Sequence, residues 1–576
     1  MEEGCPYFEG YLNFNFVTSK VTYSQKFFLF FQLVIQQLLL LMNTLYLGDC
    51  LDVLRGNIPD SSIDLIYIDP PFNSKRDYNI FFDDKEIQTQ RIAFEDTWSL
   101  KNIQDSLAEL HTLTTDNVYF LLLTYQKVAP HAFPYLTMMA LRILELHRVL
   151  KDTGSFYLHC DPTMSHYLKT ICDVIFEPQN FRNDIIWKRT NTHNDAKNKF
   201  ADITDRILYY TKSDKYFYNP LYSEHSEEYV KNFYRFDDND GKGLYQLADM
   251  ASPNPRPNMM YEWKGFPYPT KGWRYQKDTM QKLDEDGRIY YPVNKDGSFD
   301  LTKRPRLKRY LNEQNGNIVS NSWDDIPPLG AHEKERLGYP TQKPKALLER
   351  IIQASSNEGD TVLDAFCGCG TTIDAAESLH RNWIGIDISP MAVSLIKRRL
   401  RDTYKESLNK FEVRGVPVDE ASAVKLWNEN PFAFQDWWLT EFEVFSTTYG
   451  TKGADKGIDG IGQYLVDKDT SIRAAFQVKG GTHIKSAEMD SLLGVLEKHK
   501  CQLGVFLTIT APTKPMMDTA AGAGFVEFGG IKYPKIQILT LKDYFNNKRP
   551  KLPTTNITFK SAQLKGKQSK QINIDF

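Results

Sequence analysis

The sequence predicts an α/β protein with a doubly wound parallel sheet, followed by a second and smaller α/β domain. Short apolar runs alternate with helical patterns up to about residue 215, and the same alternation returns after about residue 335. The stretch between them is rich in Tyr, Trp, Pro and Gly and shows weak periodicity. A further α/β pattern spans residues 431–545. One α/β domain is therefore expected to be split by an insert.

The composition is that of an ordinary globular chain. Hydrophobic residues make up 41% of the 576 residues and charged residues 25%, which excludes a wholly disordered or collagen-like chain. The net charge is −3, so contact with nucleic acid would need local basic patches rather than a uniformly basic surface. Seven cysteines without a CxxC pair argue against a secreted disulfide scaffold and favour a reducing cytoplasm.

Individual elements follow from apolar runs bounded by turn residues. The first part is expected to contain strands at 44–47, 63–68 and 155–160, with helices at 51–56, 141–150 and 164–176 and a helix stop at 151–154. After the insert we expect a helix at 345–355, strands at 361–365 and 383–386, and a helix ending at 379 between those strands. These strands and helices together predict the parallel sheet.

The N-terminus carries an apolar run at residues 27–42, interrupted by Gln32, Gln36 and Gln37. The run is shorter than the roughly 18 residues that a membrane span requires. A secretory signal would need a basic segment and a small-residue cleavage site, and neither stands out here. We therefore expect Met42 to be the true start, residues 1–41 to be a non-functional extension, and no membrane partner.

Changes in composition and periodicity along the sequence predict the boundaries of its segments. The expected segments are an extension at 1–41, a first α/β part at 42–215, an insert at 216–335, a second α/β part at 336–402 that completes the same domain, a charged linker at 403–430, a second α/β domain at 431–545 and a basic tail at 546–576.

A glycine-rich loop follows the predicted strand at 361–365 and opens a helix. It reads FCGCGTT, and its residues Gly368 and Gly370 permit a tight turn and close approach of a ligand. Asp387 ends the next predicted strand, where an acidic residue can hydrogen-bond the hydroxyls of a ribose. The pattern predicts a site for a nucleoside-containing cofactor.

A second motif, Asp69-Pro70-Pro71-Phe72, ends the predicted strand at 63–68. Two prolines restrict the backbone and exclude a helix, so the strand end projects rigidly. A carboxylate that can accept an N–H of an exocyclic amine then stands beside a ring that can stack on a base. Asp-Pro-Pro is also an ordinary turn, but its presence in one chain with the glycine loop favours the amine site.

These two motifs, with the segment YPTQKP at 339–344 between them, resemble the amino-methyltransferases of DNA. The motif order is similar to that of the β class, which includes the modification subunits of type III restriction systems. The resemblance covers residues 42–402 and implies methyl transfer from S-adenosyl-L-methionine to the amino nitrogen of a flipped base in double-stranded DNA. The DPP motif favours N6 of adenine, cytosine N4 is the alternative, and an RNA substrate stays open.

The resemblance also implies the roles of individual residues. Asp69 and the carbonyl of Pro70 would accept N–H groups of the target amine, with Pro71 and Phe72 completing the catalytic motif. Asp49 would lie near the adenine of the cofactor and Lys343 near its methionine end. The remaining cofactor-binding residues implied are Asp364, Phe366, Gly368, Gly370, Thr371 and Asp387.

Three further features are less specific. Ala365 and Cys369 stand where the family commonly has Pro and Ser, and neither change removes a group that the chemistry needs. Trp187 either lines the base pocket or is a core tryptophan. The insert interleaves basic and aromatic residues at 261–264 and 271–275, so it is the expected reader of the DNA sequence.

The second domain carries a possible metal site. Asp459 lies in a glycine-flanked acidic turn, and Gln477 and Lys479 share one side of a predicted strand at 476–479. Oxygens of Asp459 and Gln477 can hold a hard cation such as Mg²⁺. Lys479 can orient the attacking water and stabilise the charge of a phosphorane.

The order of elements around this site, with a buried strand at 503–509, resembles the PD-(D/E)xK superfamily. Mrr-like restriction nucleases with a D…QxK site are the nearest pattern, over residues 431–530. In that superfamily an upstream glutamate often completes the site, and Glu441 and Glu443 are both candidates. Gln477 in place of an acidic residue lowers the charge of the ligands, so activity is left open.

The favoured hypothesis is therefore a restriction–modification protein that joins an adenine-N6 DNA methyltransferase to a nuclease-like domain. One alternative is an orphan methyltransferase whose C-terminal domain only binds DNA. Another is a non-catalytic DNA-binding protein. The residues that argue against it are the intact Asp69, Phe72, Gly368 and Gly370. The sequence does not decide between a monomer and a homodimer.

Overall fold

The computed structural model describes residues 43–71, 79–84, 87–92, 103–113, 117–191, 198–330, 333, 335–337, 341–446, 457–467, 470–481, 484–553 and 555–556. The apolar run at 27–42 lies outside the described residues, as do Phe72, Tyr339 and Pro340. Two compact units are present, one formed by Pro220–Ser320 and the other by the chain on either side of it. No helix in the described part of the chain is long and apolar enough to span a membrane.

The strands lie before, within and after the insert. Those before and within the insert are β1 (Asn43–Leu47), β2 (Ile63–Ile68), β3 (Asn79–Asp84), β4 (Ile87–Ile92), β5 (Leu150–Cys160), β6 (Phe181–Lys188), β7 (Thr204–Thr211), β8 (Tyr222–Ser223), β9 (Tyr245–Asp249), β10 (Ile289–Tyr290), β11 (Arg306–Tyr310) and β12 (Asn317–Ile318). Those after it are β13 (Ser322–Trp323), β14 (Thr361–Asp364), β15 (Asn382–Asp387), β16 (Phe411–Arg414), β17 (Phe445–Ser446), β18 (Gly460–Leu465), β19 (Ser471–Lys479), β20 (Leu503–Thr508), β21 (Phe525–Phe528), β22 (Ile531–Pro534), β23 (Ile536–Thr540) and β24 (Thr555–Asn556).

The α-helices of the described residues are distributed between these strands. They are α1 (Cys50–Asn57), α2 (Ile103–Leu113), α3 (Asn117–Val128), α4 (Phe133–Val149), α5 (Ser165–Phe176), α6 (Glu227–Phe233), α7 (Lys277–Glu285), α8 (Lys345–Ser355), α9 (Thr371–Ser378), α10 (Pro390–Tyr404), α11 (Glu420–Glu429), α12 (Pro431–Thr440), α13 (Ala487–Lys498), α14 (Lys514–Gly522) and α15 (Leu541–Phe545).

A nine-stranded sheet in the order β13-β6-β7-β5-β2-β14-β15-β1-β16 forms the centre of the larger unit. Every neighbouring pair is parallel except those of β7, which runs antiparallel to both β5 and β6. Strands such as β2 and β14 are buried along nearly their whole length, as expected for parallel strands covered by helices. The predicted α/β fold is confirmed.

Two predicted elements of the first part have different bounds in the structure. Helix α4 begins at Phe133 rather than at residue 141, because Pro134 occupies its first turn, a position that proline favours. Residues 151–154, predicted as a helix stop, belong to β5. Ile63 of β2 pairs with Leu150 there, and Lys151 binds Asp64 of β2 at 2.8 Å. Strand pairing therefore overrides the local turn preference of these residues.

The predicted linker at 403–430 contains regular structure. Strand β16 extends the main sheet beside β1, and α11 begins at a capping box in which Asp419 and Ser422 bond to each other's backbone N–H groups. The high charge of this segment reflects an edge strand and an exposed helix rather than a flexible connection. The capping box was readable in the sequence and was missed.

The second α/β domain has its own sheet, in the order β17-β18-β19-β20-β23 with β24 beside β18. Strands β17 to β19 are antiparallel, whereas β19, β20 and β23 are parallel. The core beneath them includes Trp437, Trp438 and Phe476. The strands predicted at 476–479 and 503–509 are confirmed as parts of β19 and β20.

The unit Pro220–Ser320 has a small core around a three-stranded sheet of β9, β10 and β11. Trp263 and Trp273 are buried in that core, and Trp273 donates its indole N–H to the carbonyl of Tyr261 at 2.8 Å. The neighbouring cations Lys271 and Arg274 are exposed. The tryptophans of the basic and aromatic segments therefore stabilise the unit, while its cations face solvent.

A buried ion pair joins α9 to α10 behind the glycine loop. Arg399 approaches Asp374 at 2.7 Å, and both side chains are almost fully buried. Lys345 and Tyr404 bind the other oxygen of the same carboxylate, at 3.1 and 2.5 Å. Burial alone would raise the pKa of Asp374, but Arg399 and these donors hold it below its ordinary value. Asp374 is therefore an ionised group on which three elements depend.

We expect Asp374→Ala to destabilise the protein strongly, because it leaves the Arg399 charge buried without its main partner. The free energy of unfolding should fall by about 3–5 kcal/mol, measured by chemical denaturation. The control is Glu429→Ala, which removes an exposed i,i+4 pair with Lys425 and should cost only about 0.5 kcal/mol or less. Similar losses for both variants would contradict the structural role of the buried pair.

Candidate functional site

Four aspartates stand at the carboxyl ends of four adjacent parallel strands. The sheet order β2-β14-β15-β1 brings together Asp69 after β2, Asp364 at the end of β14, Asp387 at the end of β15 and Asp49 after β1. The strands are parallel throughout this row, so all four residues reach one edge of the sheet. In open α/β sheets that edge is where ligands bind. Residues that are distant in sequence are thus assembled at one site.

The carboxylate of Asp387 holds the glycine loop in place. One oxygen accepts the backbone N–H of Gly368 and the other that of Ser389, both at 2.8 Å. Burial raises its pKa to about 6, and the backbone N–H groups partly oppose that rise. Both oxygens are therefore engaged within the protein. The predicted hydrogen bond of Asp387 to a ribose stays a prediction, and it would use the remaining lone pairs.

Gly370 is required by the backbone of the loop. It has a φ of +75°, and a Cβ at this position would lie 2.6 Å from Cγ1 of Ile396. The next residue, Thr371, opens α9 and accepts a hydrogen bond from Arg399 at 3.2 Å. The loop is thus tightly bent and fixed from behind by α10. A loop of this shape brings backbone close to a ligand, as the sequence predicts for Gly368 and Gly370.

The carboxylate of Asp364 also accepts hydrogen bonds from the loop and from the first turn of α9. Its carboxylate accepts the N–H of Phe366 at 3.0 Å and the hydroxyl of Thr372 at 2.5 Å. Burial raises its pKa to about 7, against the lowering effect of these two donors. Phe366 itself is half-buried. Asp364 and Asp387, both predicted to bind the cofactor, therefore also hold the glycine loop and the start of α9 in place.

Asp49 is fixed by an arginine that the sequence reasoning missed. Both of its oxygens accept hydrogen bonds from Nη2 of Arg142 in α4, at 2.9 and 2.7 Å. Arg142 is buried, whereas about a third of the Asp49 side chain is exposed. Its place inside the apolar run at 138–144 of α4 was a signal that could have identified this residue. The pair holds an accessible carboxylate in one orientation.

Asp69 forms an ion pair with Lys343, which stands in the TQKP segment before α8. Both side chains are mostly buried, and Pro70 and Pro71 are buried beside them. The sequence predicted Lys343 near the methionine end of a cofactor, and the structure shows its ammonium group on the carboxylate predicted to be catalytic. Its contact with a cofactor stays a prediction, as does the stacking role of Phe72, which lies outside the described residues.

Trp187 of β6 is buried. Its indole N–H donates to the carbonyl of Ile326 at 2.9 Å, and its ring contacts that of His159 edge to face. These contacts favour the core alternative over the base pocket. They also place Trp187 against a buried set of polar residues, Tyr67, His159 and Asp205, which the sequence reasoning did not single out.

The second domain brings its three predicted residues to one place. Asp459 directly precedes β18 and accepts the N–H of Val478 at 2.7 Å, so its carboxylate lies between Gln477 and Lys479 along β19. The Oε1 atom of Gln477 is buried and has no hydrogen-bond partner within the described ranges. A buried oxygen without a donor beside a carboxylate fits a hard cation. The described residues contain no group of three or more His, Cys, Asp or Glu that could hold a metal.

Both candidate glutamates are engaged with α10 instead. Glu441 lies 3.3 Å from Lys397 and accepts a hydrogen bond from Tyr544 at 2.7 Å. Glu443 lies 3.3 Å from Arg401. These contacts link the two α/β domains, and they argue against either glutamate as the further metal ligand.

The fold and the row of aspartates define a cofactor-binding α/β domain, joined to a smaller domain with a D…QxK site. Residues 63–398 match the family model described as DNA methylase, and the chain belongs to that family. Residues 437–528 match the model described as restriction endonuclease.

Curated relatives agree with the match to the DNA methylase family. The chain is 35% identical over 288 residues to the type II methyltransferase M.EcaI of Enterobacter cloacae, which is 48% of this chain and 61% of that protein. It is 27% identical over 354 residues to the Mod subunit of the type III restriction-modification enzyme StyLTI of Salmonella typhimurium, which is 59% of this chain and 50% of that protein. The chain thus spans about half to three fifths of these relatives.

A solved structure also matches part of the chain. The PvuII DNA methyltransferase (cytosine-N4-specific) is covered over 94% of its length and 64% of this chain, at 14% identity. The TM-score is 0.30, which is too low to carry an argument.

The buried Asp364 predicts a pH dependence of stability. Its pKa of about 7 lies above the ordinary 3.8, so the unfolded chain releases this proton at lower pH than the folded chain does. The stabilising contribution is full below about pH 4 and is lost as the pH rises to about 7. We expect Asp364→Asn to gain in melting temperature relative to the wild type between about pH 5 and about pH 7. A difference in calorimetric melting temperature that does not change with pH would contradict this.

Proposed function

We propose that the first domain is a DNA amino-methyltransferase that transfers a methyl group from S-adenosyl-L-methionine to an exocyclic amine. The observation that carries the proposal is the row of four aspartates beside the bent loop. Asp69 stands in this row directly before two prolines and is not needed to hold the loop. S-adenosyl-L-methionine, when bound, supplies a methyl group on a positively charged sulfur. Asp49 and the loop from Phe366 to Thr371 are the residues that would hold it.

In this proposal Asp69 is the residue of the chain that orients the target amine. Its carboxylate accepts an N–H of the target amine, aims the nitrogen lone pair, and stabilises the positive charge that develops on that nitrogen. The carbonyl of Pro70 accepts the second N–H, as the resemblance implies. Because the prolines fix the strand end, both acceptors keep their positions without reorganising.

Double-stranded DNA is the proposed substrate, with the target base flipped out of the helix. The DPP motif supports adenine N6, with cytosine N4 as the second candidate because the family includes both. The unit Pro220–Ser320 is the proposed reader of the DNA sequence. Its buried tryptophans leave cations such as Lys271 and Arg274 at the surface, where they can bind phosphates or guanine.

The second domain is proposed as a Mg²⁺-dependent endonuclease of the Mrr type. Mg²⁺, when bound, would polarise the scissile phosphate. Asp459 and the Oε1 atom of Gln477 would hold the ion, and Lys479 would orient the attacking water. The same observations permit the alternative that this domain only binds DNA, since Gln477 contributes no charge to the site.

The first test removes Asp69. Asp69→Ala should reduce methyl incorporation into DNA by at least roughly a hundredfold, because a charge-assisted acceptor worth about 1.5–3 kcal/mol is lost and the amine is misplaced. The affinity for S-adenosyl-L-methionine, measured by calorimetry, should change little. Asp52→Ala, which removes an exposed carboxylate of α1, is the control. Incorporation by Asp69→Ala at the rate of this control would refute the assignment.

The second test concerns cleavage. Unmethylated plasmid is incubated with Mg²⁺, and Asp459→Ala and Lys479→Ala should each stop cutting because they remove the metal ligand and the phosphate contact. Methylation should continue in both, since Asp69 lies in the other domain. Asp490→Ala and Lys498→Ala, exposed residues of α13, serve as controls. Cutting that persists in the first two variants would place the nuclease site elsewhere, and no cutting by the wild type would favour the DNA-binding alternative.

A further inference from the structure

The connection between β6 and β7 lies at the same edge of the sheet as Asp69. Strands β2 and β5 are parallel and both end at this edge, and β7 begins there because it runs antiparallel to β5. Lys188 at the end of β6 pairs with Thr204 at the start of β7. Neighbouring strands are about 4.8 Å apart, so β7 is roughly 10 Å from β2. The connection at 189–203 is therefore within reach of DNA whose target base lies at Asp69.

Phe200 is the residue of this connection that the fold does not explain. It is 96% exposed, more than any other large hydrophobic residue in the described part of the chain, where the next value is 74% for Val418. Single exposed hydrophobic residues are normal on soluble proteins. A phenylalanine that buries almost none of its surface contributes little to the stability of the domain, however, and this one lies at the edge where the substrate would bind. Its burial by a ligand would be favourable.

The base of the connection is fixed although Phe200 is exposed. Arg189 donates its backbone N–H to the carbonyl of Ile203 at 2.9 Å and its guanidinium N–H to the carbonyl of Asp202 at 3.1 Å. The same guanidinium lies 2.9 Å from the buried carboxylate of Asp205. These contacts join the two ends of the connection and anchor the chain two residues after Phe200. Holding the ring in a bound position therefore costs less conformational entropy than it would on an unanchored segment.

Cations accompany Phe200 at the surface. Lys199 and Arg189 are both exposed. Lys199 pairs with Asp202, and both of these side chains are more than half exposed. Exposed ion pairs are weak in water, so Lys199 can exchange this partner for a phosphate. Cations beside an exposed aromatic ring are the combination that binds nucleic acid, through contacts to phosphates and stacking on bases.

The proposed reaction creates a place for such a ring. An exocyclic amine inside a duplex can be methylated only after its nucleotide is flipped out of the base stack. Flipping costs free energy, because the base is unpaired and its two neighbours in the strand lose a stacking partner. A planar apolar side chain that enters the vacated place recovers part of that cost. Apolar side chains are inserted between base steps in this way by proteins that kink DNA.

We propose that Phe200 inserts into double-stranded DNA at the place vacated by the target nucleotide and stacks on the neighbouring bases. The inference rests on the proposed methyltransferase function. Phe200 stabilises the flipped state of the DNA, whereas Asp69 meets the amine. The ring therefore matters for a fully paired target and much less for a target that is already weakly paired. Binding of the cofactor does not depend on it.

The test compares paired with mismatched DNA. Plasmid DNA treated with the wild-type chain is sequenced to locate the methylated positions, and short duplexes that carry one such site are then used. Phe200→Ala should lower the single-turnover rate of methyl transfer to the paired duplex roughly ten- to a hundredfold, because the stacking of one aromatic side chain on bases is lost. On a duplex whose target base faces a mismatch, the rate should return to within about threefold of the wild type, because that base is flipped at lower cost.

Two further variants serve as controls. Phe200→Trp should keep the rate on the paired duplex, since an indole ring also stacks on bases. Phe525→Ala removes an exposed phenylalanine of the second domain and should leave the rate on both duplexes unchanged. The affinity for S-adenosyl-L-methionine, measured by calorimetry, should stay within about twofold in all variants.

Three results would overturn the inference. A wild-type rate for Phe200→Ala on the paired duplex would overturn it and leave the proposed function intact. An equal loss on the paired and the mismatched duplex would do the same, because it would assign Phe200 a role outside base flipping. A wild-type chain that methylates no DNA would overturn both the inference and the proposed function.

Discussion

The backbone hydrogen bonds to Asp387 are the contacts on which the site depends. Its carboxylate accepts the N–H groups of Gly368 and Ser389, and its carbonyl accepts that of Gly48. One residue therefore fixes the glycine loop, the start of α10 and the turn that presents Asp49. These three segments come from distant parts of the sequence. Only the parallel pairing of β15 with β14 and β1 places Asp387 where it can hold them all.

Helix α10 extends this organisation to the second domain. It begins three residues after Asp387, and its inner face carries Arg399, which binds Asp374 and Thr371 behind the loop. Its outer face carries Lys397 and Arg401, which pair with Glu441 and Glu443 of the other domain. A single helix thus contacts both the loop and the second domain. Its cations engage Glu441 and Glu443, the two candidates for a further metal ligand.

The sequence predicted most of the fold and the place of the site, because both depend on local signals. Strand β2 and helix α8 have the predicted bounds, since apolar runs and proline or glycine boundaries mark them. What the sequence could not predict depends on pairing between distant segments. The hydrogen bonds of Arg142 with Asp49 and of His159 with Asp205 can form only after the sheet is assembled. The burial of the tryptophans of the insert could not be predicted either, since an aromatic residue beside a cation has the same local sequence whether it is buried or exposed.

The charges of the site explain why so many carboxylates can be gathered at one edge of a sheet. Arg142 and Lys343 neutralise Asp49 and Asp69, which are the two partly exposed members of the row. Asp364 and Asp387 have no cation of this kind among the residues that the structure describes, and burial raises the pKa of each, to about 7 and about 6. A cofactor with a positively charged sulfur would favour the ionised forms of both. The cost of burying these two carboxylates is then lowest when such a cofactor is bound, so the loop that they hold is stabilised by the ligand that it would bind.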